Sequence, residues 1–219
     1  MGLVLAKPKV LRVLDSKDIE EAVEEAARTV KHRGLIVYPT DTLYGLGADP
    51  FSEAAVNRVY EAKHREAKPM PLLVSSRDYV GRIAYVTDEA RKLIQLFWPG
   101  PLTLVLSKKA VLPDLVTANL PKVGVRMPNH EVALRIIEAC GGFLIGTSAN
   151  ISGQSPPRTI EEVLRQLNGS VDLVVDAEPL PIGVPSTVID LTSDKPLLIR
   201  EGAVRLEELE KALGKIIER

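Results

Sequence analysis

Apolar positions recur at helical spacing through Ile19, Val23, Ala26, Ala27 and Val30, and predict an amphipathic helix from about Lys17 to Arg33. Asp15 or Ser16 can cap it and Gly34 stops it. Leu35-Ile36-Val37-Tyr38 then runs apolar without a break, the pattern of a buried strand. Thr40 to Asp49, rich in Thr, Asp and Gly, reads as a loop. A second helix is expected from about Glu53 to His64 behind Ser52, and a second buried strand at Pro71-Leu72-Leu73-Val74. Thr87 to Phe97 is helical up to the breaker Trp98-Pro99-Gly100-Pro101, and Leu102 to Leu106 and Val123 to Arg126 read as strands. His130 to Cys140 is expected as a helix capped by Asn129, and Phe143-Leu144-Ile145 as a strand leading into Gly146-Thr147-Ser148-Ala149-Asn150. Thr159 and Glu162 fit a capping box opening a helix to about Leu167. Strands near Leu173-Val174-Val175, Ser186 to Leu191 and Leu197-Leu198-Ile199 follow, and Leu206 to Ile217 is helical.

Helices and strands alternate, yet several strands follow one another late in the chain. That order predicts an α/β fold with a mixed sheet rather than a purely doubly wound one. No repeat, low-complexity tract or linker interrupts the 219 residues, so one domain over 1–219, with its core at about 12–205, is the expectation.

Composition narrows the function. Aromatics make up only 4% of the chain, so the core must be aliphatic and a base-stacking RNA surface would have few rings. A formal net charge of -1 argues against a protein that grips nucleic acid through a global positive field. The single cysteine, Cys140, excludes an internal disulfide and a thiolate zinc cluster, and its apolar setting reads as a small buried hydrophobe. Met1 to Lys7 is too short an apolar run for a signal peptide, and Ala6 stands where a myristoylation signal needs Ser or Thr. No window approaches a membrane-spanning run, so the cytoplasm is the expected compartment.

Polar clusters sit just after the predicted strands, where α/β sheets place ligands. Thr40-Asp41-Thr42 with Gly45 and Gly47 offers hydroxyls and close backbone approach, though alone it reads better as a turn. Lys63 and Arg65 could hold phosphate oxygens, or could simply satisfy a helix C-terminus. Ser148 lies outside any Gly-x-Ser-x-Gly elbow, and His32, His64 and His130 stand at helix ends without an evident Asp partner, which disfavours a serine hydrolase. Ser186-Thr187 and Arg200 lie on a late hairpin. Scattered histidines and the lack of a close carboxylate cluster leave no protein metal site expected.

Taken in order, these segments closely resemble the YrdC-type threonylcarbamoyl-AMP synthase family, in its short, single-domain form. The resemblance is carried by Pro39-Thr40-Asp41-Thr42-Leu43-Tyr44-Gly45-Leu46-Gly47, Lys63-x-Arg65 with Pro71-Leu72, and Trp98-Pro99-Gly100-Pro101-Leu102-Thr103. It continues through Val125-Arg126-Met127-Pro128, Ser148-Ala149-Asn150 with Ser152-Gly153, and Ser186-Thr187-Val188, covering about residues 17 to 202. It implies an open, twisted mixed sheet flanked by helices around a large concave basic cavity. It also implies that L-threonine, bicarbonate and ATP give threonylcarbamoyl-AMP and pyrophosphate. A separate transferase then carries the threonylcarbamoyl group to adenosine 37 of tRNA.

Residue by residue, the resemblance implies a catalytic role for Lys63 and Arg65, and ATP contacts from these two with Asn150 and Arg200. It implies threonine contacts from Thr42, Arg126, Ser148 and Ser186. Mg²⁺ is expected to bridge the ATP phosphates rather than to sit in a protein cage. The chain departs from the family pattern at Glu66, Met70, Ser75, Arg158 and Glu201, where relatives commonly carry Pro, Asn, His, Thr and Pro. Two other readings remain: a tRNA- or double-stranded-RNA-binding module of the same fold without chemistry, and a carbamoyl-transfer domain of the hydrogenase-maturation kind.

Overall fold

The computed structural model describes residues 7–177 and 183–219. In chain order the elements are β1 (Lys9–Arg12), α1 (Ser16–Lys31), β2 (Ile36–Tyr38), β3 (Gly45–Gly47), α2 (Glu53–Ala62), β4 (Leu72–Val74), α3 (Val80–Ile83), α4 (Asp88–Phe97) and β5 (Leu102–Ser107). There follow β6 (Lys122–Arg126), α5 (Glu131–Ala139), β7 (Phe143–Ile145), β8 (Thr147–Ser148), α6 (Ile160–Leu167), β9 (Leu173–Asp176), β10 (Thr187–Asp190), β11 (Leu197–Arg200) and α7 (Leu206–Leu213). Single 3₁₀ turns stand at Arg77–Tyr79 and Asp114–Thr117.

The mixed sheet is built as two. One runs β1-β9-β2-β3-β8 and the other β11-β10-β5-β6-β4-β7, each combining parallel and antiparallel pairs. The short apolar strands are buried on both faces, and their alternation divides two cores. Val37, Leu46, Val174, Leu72, Val74, Leu102, Leu104 and Val125 face the larger core, shared with α2, α4, α6 and α7. Ile36, Tyr38, Leu173, Val175, Leu73 and Leu144 face the smaller one, where Ala22, Ala26 and Val30 of α1 meet Val132, Ala133, Ile136 and Ile137 of α5.

Local signals set most boundaries. Asp15 accepts the backbone N–H groups of Lys17 and Asp18, and Asp18 returns the bond to the Asp15 backbone, so α1 opens with a capping box. At α6 the Thr159 hydroxyl takes the Glu162 N–H, but the Glu162 carboxylate takes the N–H of Arg158, one residue before the cap. The expected box is therefore only half formed. The expected Asn129 cap is displaced: His130 occupies the cap of α5 without a side-chain bond, and Asn129 falls one residue outside. α7 stops at Leu213 rather than Ile217, because Gly214 turns left-handed at φ 73°. β3 forms inside the segment expected as a loop and β8 directly after β7, pairing Gly45 with Ser148 and Leu46 with Thr147. β1 carries no continuous apolar signature; it forms as an edge strand pairing Lys9 to Arg12 with Leu173 to Asp176.

None of the described helices is long and apolar enough to cross a membrane. Cys140 is half-buried and its thiol is pushed up to about 12 by burial, which suits an inert packing residue.

Candidate functional site

The second sheet turns one face to the larger core and the other to a cavity of about 630 Å³. Period-two alternation decides which residues reach it. On β6, Val123 and Val125 point to the core while Lys122, Gly124 and Arg126 point to the cavity. On β5, Leu102, Leu104 and Leu106 are core residues, and Thr103 and Val105 line the hollow. Ser186 and Val188 extend that floor, with Val188 paired to Thr103. The loop before β3 and the Gly146–Ser148 stretch close the opposite side with Thr40, Thr42 and Ser148.

Of the residues expected at the site, Thr42, Arg65, Arg126, Ser148, Ser186 and Arg200 line this one hollow, together with Lys68 and Lys122. Among the described lining residues no side chain is acidic. Glu66 and Glu201 are exposed and lie outside the lining, while Met70 is buried and is part of it.

Arg126 is 6% exposed and makes one bond from each of its three guanidinium nitrogens. Its Nε donates to the Gly100 carbonyl at 3.1 Å, its Nη1 to the Thr42 hydroxyl at 3.0 Å, and its Nη2 to Asp41 in a short ion pair. Arg200 is clamped to Ser186: Nε and Nη2 donate to the Ser186 carbonyl at 3.1 and 2.8 Å, and Nη2 reaches Ser186 Oγ at 3.3 Å. Burial, and then the charge of Arg126, pull the Arg200 pKa downward. Thr103 and Ser186 share a hydroxyl bond of 2.9 Å. Arg65 stacks its guanidinium 5.7 Å from the centre of the Tyr60 ring, and its Nε is buried without a partner. A buried donor left open beside a cavity is suited to an anion.

Lys63 and Asn150 stand differently. Lys63 is 2% exposed and sits beneath the lining, where Nζ donates to the carbonyls of Ser148 at 2.5 Å and Asn150 at 2.8 Å. Burial, and next the charge of Arg65, lower its pKa to about 7. Asn150 spends both amide hydrogens on the carbonyls of Ile151 and Gln154, and its oxygen accepts from Ser148. Both residues shape the Ser148–Asn150 turn rather than lining the cavity.

Two features escaped the sequence reading. Lys122 lies four residues before Arg126 on the same strand face, so alternation alone could have placed it in the site; Asp190 holds its ammonium at 2.6 Å. The Asp41–Arg126 pair joins residues 85 positions apart, and no local pattern announces it. His130 also has a carboxylate neighbour: burial lowers its pKa, and the charges of Asp41 and Glu131 act in the opposite sense.

The Sua5/YciO/YrdC family model, described as "telomere recombination", matches residues 28–202. A threonylcarbamoyl-AMP synthase of Pyrococcus abyssi is 42% identical over 206 residues, covering 91% of this chain and 61% of that protein. A relative from Methanocaldococcus jannaschii is 35% identical over 212 residues, covering 95% of this chain and 99% of its own length. The crystal structure of Pyrococcus abyssi Sua5 complexed with L-threonine superposes with a TM-score of 0.90 at 39% identity, covering 98% of this chain and 63% of that one. This chain thus spans about three-fifths of the Pyrococcus protein. With the fold, the cavity and the family signature in agreement, the chain belongs to the Sua5/YciO/YrdC family.

Proposed function

We propose that this chain is an L-threonylcarbamoyladenylate synthase, joining L-threonine, bicarbonate and ATP into threonylcarbamoyl-AMP with release of pyrophosphate. The reading rests chiefly on the convergence of Arg65, Arg126 and Arg200, from three distant stretches, on one hollow beside Thr42, Ser148 and Ser186. The threonine amine attacks the carbon of bicarbonate and water leaves, giving a carbamate, and a carbamate oxygen then attacks the α-phosphorus of ATP as pyrophosphate leaves. Neither step needs an enzyme nucleophile. Each needs mutually repelling anions to be held close and in line, with the charge on the phosphates compensated.

Arg126, the Thr42 hydroxyl bonded to it, Ser148 and Ser186 form the threonine end. Arg65 and Arg200 form the ATP end, with Lys122 and Lys68 as further cations. Lys63 and Asn150 support it by holding the Ser148 turn. Among the described residues no three His, Cys, Asp or Glu side chains gather to hold a metal, so Mg²⁺ would come with the ATP phosphates it bridges. The product, a mixed carbamic-phosphoric anhydride, suits a downstream transferase that acylates tRNA adenosine 37, and the cytoplasm supplies the ATP.

The test is pyrophosphate release by the purified protein, with the adenylate identified by mass. Release that requires both threonine and bicarbonate, and that Arg65→Ala abolishes without altering the circular dichroism, supports the reading. Steeply salt-dependent binding of double-stranded RNA without any pyrophosphate would instead favour an RNA-binding module.

A further inference from the structure

We propose that Tyr60 is a positioning residue for the ATP end of the cavity: its carbonyl, ring and hydroxyl together hold Arg65 and the stretch that runs from it to Met70. The inference rests on the ATP role proposed above for Arg65 and adds what holds that guanidinium in place.

The end of α2 sets the pair. His64 takes left-handed backbone at φ 48°, its N–H returns to the Glu61 carbonyl at 3.0 Å, and the Arg65 N–H returns to the Tyr60 carbonyl at 3.2 Å. A helix stop of this form brings the residue after the left-handed turn against one in the last full turn, a contact that apolar side chains commonly fill. Here a guanidinium meets a phenol ring, with Arg65 Cζ 5.7 Å from the ring centre. The negative face of the ring attracts a cation, and more strongly where water is thinned. Arg65 is half-buried and burial pulls its pKa downward, so the ring face compensates a charge partly stripped of water.

The hydroxyl fixes the stretch that follows. Tyr60 is 7% exposed, and its hydroxyl donates to the carbonyls of Leu115 at 2.8 Å and Lys68 at 3.0 Å. Both partners can only accept, so they share the single phenolic hydrogen. That shared bond links the stretch to the 3₁₀ turn Asp114–Thr117, and the Met70 N–H adds a bond of 3.0 Å to the Val116 carbonyl. Arg65 Nη2 reaches the Lys68 carbonyl only at 3.5 Å. Glu66, Ala67 and Lys68 are exposed, and no proline stands between Arg65 and Pro69. The form of the stretch therefore depends on a few tethers, and the Tyr60 hydroxyl is the one that holds Lys68.

Arg65, Lys68, Pro69 and Met70 line the cavity, whereas Tyr60 stands behind them and is not part of the lining. Tyr60 therefore acts through the residues it holds, Arg65 above all. A mobile arginine loses rotamer freedom when it captures a phosphate; one already laid on a ring has lost part of that freedom in folding. The ring also leaves the guanidinium edge open, and Arg65 Nε is a buried donor without a partner.

The experiment is calorimetric titration with ATP alone and with threonine alone, with melting temperatures as a folding check. It compares the wild type, Tyr60→Leu and Tyr60→Phe, each also on an Arg65→Ala background. Tyr60→Leu should weaken ATP binding about tenfold, the scale of one cation–ring contact with one hydrogen bond, and Tyr60→Phe, which keeps the ring, about threefold. On Arg65→Ala the Tyr60→Leu change should cost less than about threefold, and threonine binding should stay within about twofold throughout. Equal losses on both backgrounds, a threonine loss as large as the ATP loss, or no loss at all would overturn the inference and leave the role of Arg65 standing. If Arg65→Ala binds ATP as the wild type does, the role proposed for Arg65 falls, and this inference with it. Should Tyr60→Leu fail to fold, Tyr60→Phe decides on the same two backgrounds: a larger ATP loss where Arg65 is present supports the proposal, and equal or absent losses overturn it.

Discussion

The Lys63 ammonium donates to the main-chain carbonyl of Asn150 at 2.8 Å from a position that is 2% exposed, so a charge expected at the phosphates lies beneath the turn that borders the cavity. Burial brings its pKa from 10.5 to about 7. Between those values the unfolded chain holds a proton that the folded chain has released. The cost of burying the charge is therefore full at lower pH and fades as pH rises from about 7 to 10.5. Over that window the melting temperature of the wild type should climb relative to Lys63→Met. A difference between the two proteins that stays flat with pH would remove the assignment.

The Asp41–Arg126 pair predicts an asymmetric stability effect. Arg126→Met leaves the Asp41 carboxylate buried without its counter-ion and should cost about 3–5 kcal/mol in chemical denaturation. Adding Asp41→Asn should recover part of that loss, since the amide has no charge to strand. A double variant no more stable than the single one would show the pair to be energetically independent.

Gly202 lies where the chain crosses Ser186, and a Cβ there would stand 2.2 Å from the Pro185 carbonyl oxygen and 2.7 Å from the backbone of Ser186. Backbone atoms cannot rotate aside, so Gly202→Ala should destabilise the protein by about 1–3 kcal/mol and lower kcat/KM by displacing Ser186 and Arg200. Gly81→Ala, in α3 with nothing within 4 Å of the added carbon, is the matched control and should leave melting and turnover near wild type.

Lys122 should contribute to holding ATP. Lys122→Met removes one cation from the cavity floor while keeping most of the length of the side chain, and is expected to raise KM for ATP about tenfold with a smaller change for threonine. Equal changes in both constants would reassign Lys122 to fold support through Asp190, whose carboxyl burial alone would raise but which the bonds from Lys122 and Thr192 hold below its usual range.

Much of this protein is legible in its local pattern. The helical spacing of Ile19 to Val30, the unbroken runs at Leu35 and Leu72 and the caps at Asp15, Ser52 and Thr87 depend on interactions within a few residues, which a linear reading contains. The order of its polar motifs likewise marks the family before any fold is known. What tertiary structure alone decides is which side chains share a space and which are already taken. Strand register brings Arg126 to Asp41 and Thr42 and sets Arg200 on Ser186, and packing sinks Lys63 beneath Ser148 and Asn150. Those contacts link residues far apart along the chain, and their hydrogen bonds settle whether a given charge is free for a ligand, a result that depends on geometry and that no residue's identity encodes.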